Sequence, residues 1–337
     1  MDFDLSDDQV ALRDGATELL DGYASPTQAR AHTASGNAFD AVLWDAMVEQ
    51  GWLGIEVPEA DGGIGLGAVE VAVLAEALGA HAAPAPFVPA VLALDALRSA
   101  GATEWVDRLL TGEASACVAW DLGHPVPYAP SADVAIVCDA DGVFAVELTE
   151  HPKREPAMDL TRELGWLDVN GLPRIPLGGD AARERLFDRG ATFTAADLLG
   201  GAQRALGMAV EYAKDRVQFG RPIGSFQAVK HRCADMLVDV EGMRSTVYWA
   251  AWCIGAGDPD ASIAASTAKI WCSDASKRVM ASALQVHGGI GFTWEHDLHL
   301  FVKRAQLDGV SFGDATWHRD RLGRLLRAKL EAGLPLL

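Results

Sequence analysis

The sequence predicts a mostly α-helical chain with a small β domain at its centre, on three observations. From Phe226 through Val229, Cys233, Met236, Val240, Met243 and Val247 to Ala250, apolar residues recur at three- and four-residue steps, the stripe of a bundle helix. Short β-prone runs cluster between about 114 and 180: Ala116-Cys117-Val118-Ala119-Trp120, Asp133-Val134-Ala135-Ile136-Val137 and Val143-Phe144-Ala145-Val146, separated by Gly, Pro and Asp. Ahead of them, the first 112 or so residues return to helical periodicity.

In the N-terminal part, Leu5-Ser6-Asp7-Asp8-Gln9 offers a capped helix start, followed by Val10, Leu12, Ala16, Leu19 and Leu20 on one face. Two further helices are expected over 40–51 and 67–80. The run from Glu59 to Gly67 between them holds Gly62, Gly63, Gly65 and Gly67 and cannot continue a helix. It follows no strand, so it reads as a turn needing positive φ rather than as a dinucleotide-binding loop. After Arg189 the chain is expected to stay helical: Asp258-Pro259 marks a helix start, a helix over 260–286 ends at Gly288-Gly289, and a last helix near 316–332 carries Leu322, Leu325, Leu326 and Leu330. The expected division is 1–112 helical, 113–188 β and 189–337 helical bundle.

With 47 acidic against 28 basic side chains, the net charge of −19 argues against nucleic acid or an anionic membrane as a partner. The acidic start and the absence of a long apolar run predict neither a secretory signal nor membrane insertion, and a cytoplasmic location. Five scattered cysteines without a CxxC pair predict reduced thiols. The nine histidines form no HxxxH or HExxH arrangement, so no metal is expected.

Three segments carry a family resemblance. The stretch Gly51-Trp52-Leu53-Gly54-Ile55-Glu56-Val57-Pro58, continuing to Asp61-Gly62-Gly63-Ile64-Gly65, is the first. The second is Arg216-Val217-Gln218-Phe219-Gly220-Arg221-Pro222-Ile223 with Gln227, and the third Gln285-Val286-His287-Gly288-Gly289-Ile290-Gly291-Phe292 with Glu295, Lys303 and Asp308. Together they resemble the acyl-CoA dehydrogenase family. The resemblance implies that family's fold: an N-terminal helical domain, a β domain reduced here, and a C-terminal four-helix bundle. It also implies FAD as cofactor, an acyl-CoA substrate and an electron-transfer acceptor protein. In the family the second and third segments face the ADP half of an FAD held by a neighbouring chain, which here implicates Arg216, Phe219, Gln227, Gln285, Val286, His287, Gly288 and Gly289. An arginine at a helix end can fork two N–H groups onto a diphosphate, and a Gly-Arg-Pro turn lets backbone approach. Gly288-Gly289 serves equally as a helix C-cap and as uncrowded backbone for a ligand.

The pattern departs from the family in two places. The flavin-ring motif TE-x-x-x-GSD has no counterpart in Trp120-Asp121-Leu122-Gly123-His124-Pro125-Val126-Pro127-Tyr128. The carboxylate that removes the α-proton of the thioester is missing as well: Phe312 stands at the usual Glu position, in Ser311-Phe312-Gly313-Asp314, and the alternative position falls near Gly190. Asp314 and Glu295 are the nearest carboxylates that could substitute, though an error near an ångström is costly. The sequence thus resembles the small, base-lacking subunit of heteromeric (α2β2) actinobacterial steroid side-chain acyl-CoA dehydrogenases, implying a larger catalytic partner chain. A self-sufficient homo-oligomer with a relocated base and a non-catalytic acyl-CoA-binding scaffold stand as the other readings.

Overall fold

A computed structural model describes residues 4–335. The helices are α1 (Asp7–Tyr23), α2 (Pro26–Ser35), α3 (Ala41–Glu49), α4 (Ala68–Ala80), α5 (Phe87–Ser99), α6 (Thr103–Leu110), α7 (Asp180–Asp215), α8 (Gln227–Ala256), α9 (Ala261–His287), α10 (Leu298–Val310) and α11 (Ala315–Glu331). The strands are β1 (Ala116–Ala119), β2 (Val126–Pro127), β3 (Val134–Asp139), β4 (Gly142–Glu147), β5 (Arg154–Glu155), β6 (Leu164–Gly165), β7 (Ile175–Gly178), β8 (Val217–Gln218) and β9 (Arg221–Pro222). The chain is therefore mostly helical with a small β part, as expected. It forms two compact units, one of Met1–Thr17, Ala72–Ala82 and Ala191–Leu337, the other of Glu18–Val71 and Ala83–Gly190. Among the described residues no helix is long and apolar enough to cross a membrane.

The unit of Glu18–Val71 and Ala83–Gly190 has a four-stranded sheet in the order β1-β3-β4-β7. β1 runs parallel to β3 and the other pairs are antiparallel. Cys117, Ala119, Val137, Phe144, Val146 and Val169 form its apolar core. α3 begins where Asp40 Oδ1 accepts from Val42 N at 3.0 Å and Leu43 N at 3.1 Å, which satisfies two of the helix's open donors. The glycine run is the positive-φ turn expected of it, with φ of 85° at Gly62 and 76° at Gly65. A Cβ on Gly63 would lie 2.0 Å from the Val57 carbonyl oxygen, so only glycine fits there.

In the other unit, α1 starts on the predicted capping box: Gln9 Oε1 accepts from Ser6 N at 2.9 Å and Ser6 Oγ from Gln9 N at 3.3 Å. α9 packs against α8, α10 and α11. α4 crosses α7 at glycines: a Cβ on Gly200 would meet Glu76 O at 1.8 Å, and one on Gly79 would meet Asp197 O at 2.1 Å. That approach leaves Glu76 to accept from Arg244 Nη1 at 2.5 Å and Tyr248 Oη at 2.6 Å.

Three expectations differ in detail. α7 begins at Asp180 rather than after Arg189, directly behind Gly178 and Gly179, where the sheet ends. α10 is a helix of its own, its apolar face built from Leu298, Leu300, Phe301 and Ala305. The α8 stripe splits: Met236 to Ala250 is core, whereas Phe226, Val229 and Cys233 are only half-buried. The first turns of α8 belong to a surface, beside the β8–β9 hairpin.

Candidate functional site

The two segments expected to meet the cofactor lie at one end of the helical unit. α8 and α9 are consecutive and antiparallel, so the start of one meets the end of the other; Arg232 Nη1 donates to Ser282 Oγ at 3.4 Å there. The Tyr212 ring, near the end of α7, stacks on His287 at 4.8 Å between centroids. Arg216, Phe219, Gln227, Gln285 and Gly289 are exposed on this surface. Val286 and His287 turn their side chains inward, so from these two the surface receives backbone only.

Arg216 follows the last residue of α7, its N–H still bonded to Tyr212 O at 2.9 Å. Beyond it the chain makes a two-residue hairpin, Gln218 paired with Arg221. The turn is Phe219-Gly220, not the Gly-Arg-Pro turn expected, because Arg221 and Pro222 are already in β9. Both turn residues have positive φ, 52° at Phe219 and 78° at Gly220, the arrangement that ordinarily selects Asn-Gly. An aromatic residue there is strained, and the Phe219 side chain is 91 % exposed. Phe226 touches it edge-on at 6.1 Å and in turn carries the Arg221 guanidinium at 4.1 Å. Phe219→Asn is expected to stabilise the free chain by about 0.5–1 kcal/mol, read as a rise in thermal midpoint, and to lower flavin retention in a complex.

At the end of α9, Gly288 has φ 62° and ψ −140°, a conformation open essentially to glycine alone. Gly289 has no positive φ, and a Cβ on it would meet nothing within 4 Å. Neither its backbone nor its packing in this chain asks for glycine, so the bare backbone fits close approach by a bound group. An apolar hollow of about 430 Å³ lined by Val210, Ala213, Pro222, Val229 and Cys233 adjoins this surface, with Lys214 and Lys230 also lining it.

The position at which the family resemblance expects a base holds no carboxylate. Phe312 is buried with φ 53°, followed by Gly313 at 89°. His318 Nε2 donates to the Phe312 carbonyl at 2.8 Å, and burial pushes the imidazole pKa down to about 3, so the ring is neutral and holds this loop as a hydrogen-bond donor. Asp314 is the N-cap of α11, Oδ1 accepting from Trp317 N at 2.8 Å. Its carboxylate has a structural task, and the N-cap signature was readable in a helix predicted to start near 316. Asp314→Ala should lose about 1 kcal/mol of stability in denaturant unfolding, while Asp314→Asn keeps the cap.

Gly190, the alternative position, lies inside α7. Next to it Arg189 pairs with Glu56 and lies 3.3 Å from an Asp95 oxygen, while Arg185 holds Asp95 bidentately at 2.8 and 2.6 Å. Burial alone would raise the Asp95 pKa, but the hydrogen bond from Arg185 and the charge of Arg189 outweigh it and hold the carboxyl below its ordinary range. These acids are committed to arginine. After β1, where the flavin-ring motif is absent, Trp120 stacks on His124 at 5.7 Å, and Asp121 faces His124 Nδ1 at 3.0 Å.

Comparison with known proteins agrees with this description. The model for the acyl-CoA dehydrogenase N-terminal domain matches residues 6–116, and that for the C-terminal domain residues 178–326. The chain is 36 % identical over 323 residues to the acyl-CoA dehydrogenase IpdE2 of Mycolicibacterium smegmatis, covering 95 % of this chain and 98 % of that protein. Among solved structures, the ChsE4-ChsE5 complex from Mycobacterium tuberculosis matches with a TM-score of 0.85 at 30 % identity, covering 97 % and 99 % of the two chains. A variant of the Tcur3481-Tcur3483 steroid ACAD matches at 0.86 and 29 %, covering 96 % and 99 %. The chain belongs to the acyl-CoA dehydrogenase family of FAD-dependent oxidoreductases.

Proposed function

We propose that this chain is the non-base subunit of a heteromeric acyl-CoA dehydrogenase, working in the cytoplasm with a larger catalytic chain in an α2β2 assembly. The observation that carries the reading is the absence of a carboxylate at the base position: a buried Phe312 in a loop pinned by His318, with Asp314 spent as a helix cap. The division into 1–112, 113–188 and 189–337 belongs to the same reading.

FAD, when bound, supplies the acceptor for a hydride from the β-carbon of the thioester while a carboxylate takes the α-proton. The residues of this chain that would hold its ADP half are Arg216, Phe219, Gln227 and Gln285, with the backbone of Val286, His287, Gly288 and Gly289. Arg216 offers a forked donor to a diphosphate, and the two glutamines offer amide donors and acceptors. Phe219 offers an exposed aromatic face. The carboxylate comes from the partner, since this chain has Phe312 and Gly190 at the two positions where the family resemblance places a base, and Asp314 is spent as a helix cap. The ChsE4-ChsE5 complex supports a heteromeric assembly, and the steroid ACAD supports a bulky polycyclic acyl-CoA as substrate, a shape that a reduced β domain accommodates. An electron-transfer protein belongs to the same reading as the acceptor partner of the assembled enzyme.

Arg216→Ala, made in this chain alone and co-expressed with the catalytic chain, tests the reading. The expected result is at least ten-fold weaker FAD retention at a site whose base lies on the other chain. Unchanged retention contradicts it.

A further inference from the structure

The apolar stripe of α8 runs past the end of the helical core. Met236, Val240, Met243 and Val247 on that stripe are buried, whereas Cys233 and Val229, one and two turns ahead of them on the same face, stay half-buried. With Val210, Ala213 and Pro222 they line the open hollow of about 430 Å³. Its lining side chains are apolar apart from the Cys233 thiol and two lysines. Lys214 is held by Glu211 at 2.6 Å, whereas Lys230 is exposed and makes no ion pair among the described residues. The surrounding chain is basic: from Arg216 to Ala234 it carries Arg216, Arg221, Lys230 and Arg232 and no carboxylate, in a protein whose net charge is −19.

A stripe patterned for packing and left open to water gains free energy when an apolar group covers it. The hollow is built by the end of α7, the β8–β9 hairpin and the first turns of α8, the same elements that carry Arg216, Phe219 and Gln227. A chain that holds a flavin against those three residues is thereby brought over the hollow. A second copy of this chain fits it poorly: a two-fold contact sets a surface against itself, and Lys230 with its basic surroundings would then face like charge. We infer that the hollow is a socket for the larger catalytic chain, which inserts an apolar side chain there and sets a carboxylate beside Lys230. The inference rests on the proposed function and adds to it a contact that involves no flavin. An apolar anchor seated in a pocket carries binding energy out of proportion to its area, and a charge at the rim steers the encounter and fixes the register.

Thiol chemistry tests this on the unaltered protein, because Cys117, Cys138, Cys253 and Cys272 are buried and Cys233 is not. Maleimide labelling of Cys233, read by mass spectrometry of its peptide, is compared between the free chain and the heteromer, the latter with FAD and stripped of it. Labelling roughly ten-fold slower in both forms of the heteromer is expected, since access to the thiol limits its reaction. Val229→Glu, at a half-exposed position, should leave the thermal midpoint of the free chain unchanged and weaken assembly with the catalytic chain by roughly ten-fold or more at saturating FAD. A heteromer whose Cys233 labels at the free-chain rate, or a Val229→Glu chain that assembles within about two-fold of wild type, overturns the inference and leaves the subunit reading standing. Protection that appears only with FAD, or in a dimer of this chain alone, overturns it as well, since the flavin or a second copy then covers the hollow. A catalytic chain that forms no heteromer with this one removes both readings.

Discussion

Arg304→Ala is expected to destabilise the chain by about 3–5 kcal/mol, seen as a fall in the urea midpoint. Arg304 in α10 and Asp197 in α7 form a bidentate pair, Nε to Oδ1 at 2.9 Å and Nη2 to Oδ2 at 2.8 Å, with both side chains 4 % exposed. Removing the guanidinium strands a carboxylate in the interior, which is costlier than never having buried a pair. The double replacement Arg304→Met with Asp197→Leu should therefore recover most of the loss. If the single and double variants are equally unstable, the cost comes from packing and not from the orphaned charge.

The second large effect is a pH dependence centred on Lys269. This lysine is fully buried in α9, with Nζ donating to Asp308 O at 2.8 Å, Gly309 O at 3.2 Å and Ser273 Oγ at 3.2 Å. Burial lowers its pKa from 10.5 to about 8, with the charge of Asp308 opposing the shift. Between pH 8 and 10.5 the unfolded lysine binds its proton more fully than the folded one, so this residue makes stability rise with pH across that window, by roughly 3 kcal/mol in all. The buried thiols act in the opposite direction: burial pushes Cys117 and Cys272 up to about 12, so above pH 9 the folded state holds protons that the unfolded state has lost. The Lys269 contribution is isolated by subtracting the pH profile of Lys269→Met from that of wild type. The lost hydrogen bonds set the level of the variant's curve, while the missing charge sets the difference in slope. Parallel profiles between pH 8 and 10.5 would refute the assignment.

These two features had no signature in the sequence. Asp197 and Arg304 are 107 residues apart, and Lys269 meets the end of α10 across 39 and 40, so no local pattern announces either pairing. What was legible was local chemistry. Ser6 and Gln9 announced α1 and Gly288 the end of α9, because a cap is set by residues within one turn of it. The α10 helix lacked both cues: at its start Leu298 N donates to His296 Nδ1 at 3.2 Å rather than to the side chain of the N-cap residue, and its end is fixed by the distant Lys269. At the candidate site, motif spacing named Arg216, Gln227, Gln285 and the two glycines, all of which reach one surface. It did not show that Val286 and His287 turn inward, nor that the hairpin turn falls on Phe219, since both follow from how α7, α8 and α9 end together. Asp314 drew attention as a carboxylate near the base position, and its role as an N-cap explains why an acid stands there.

The most direct measurement is flavin content per chain together with mass in solution, for this protein alone and after co-expression with a candidate catalytic chain. The account predicts a flavin-free protein alone, and a heteromer carrying about one FAD per pair of chains after co-expression. A homo-oligomer with one FAD per chain, turning over acyl-CoA without a partner, would contradict it.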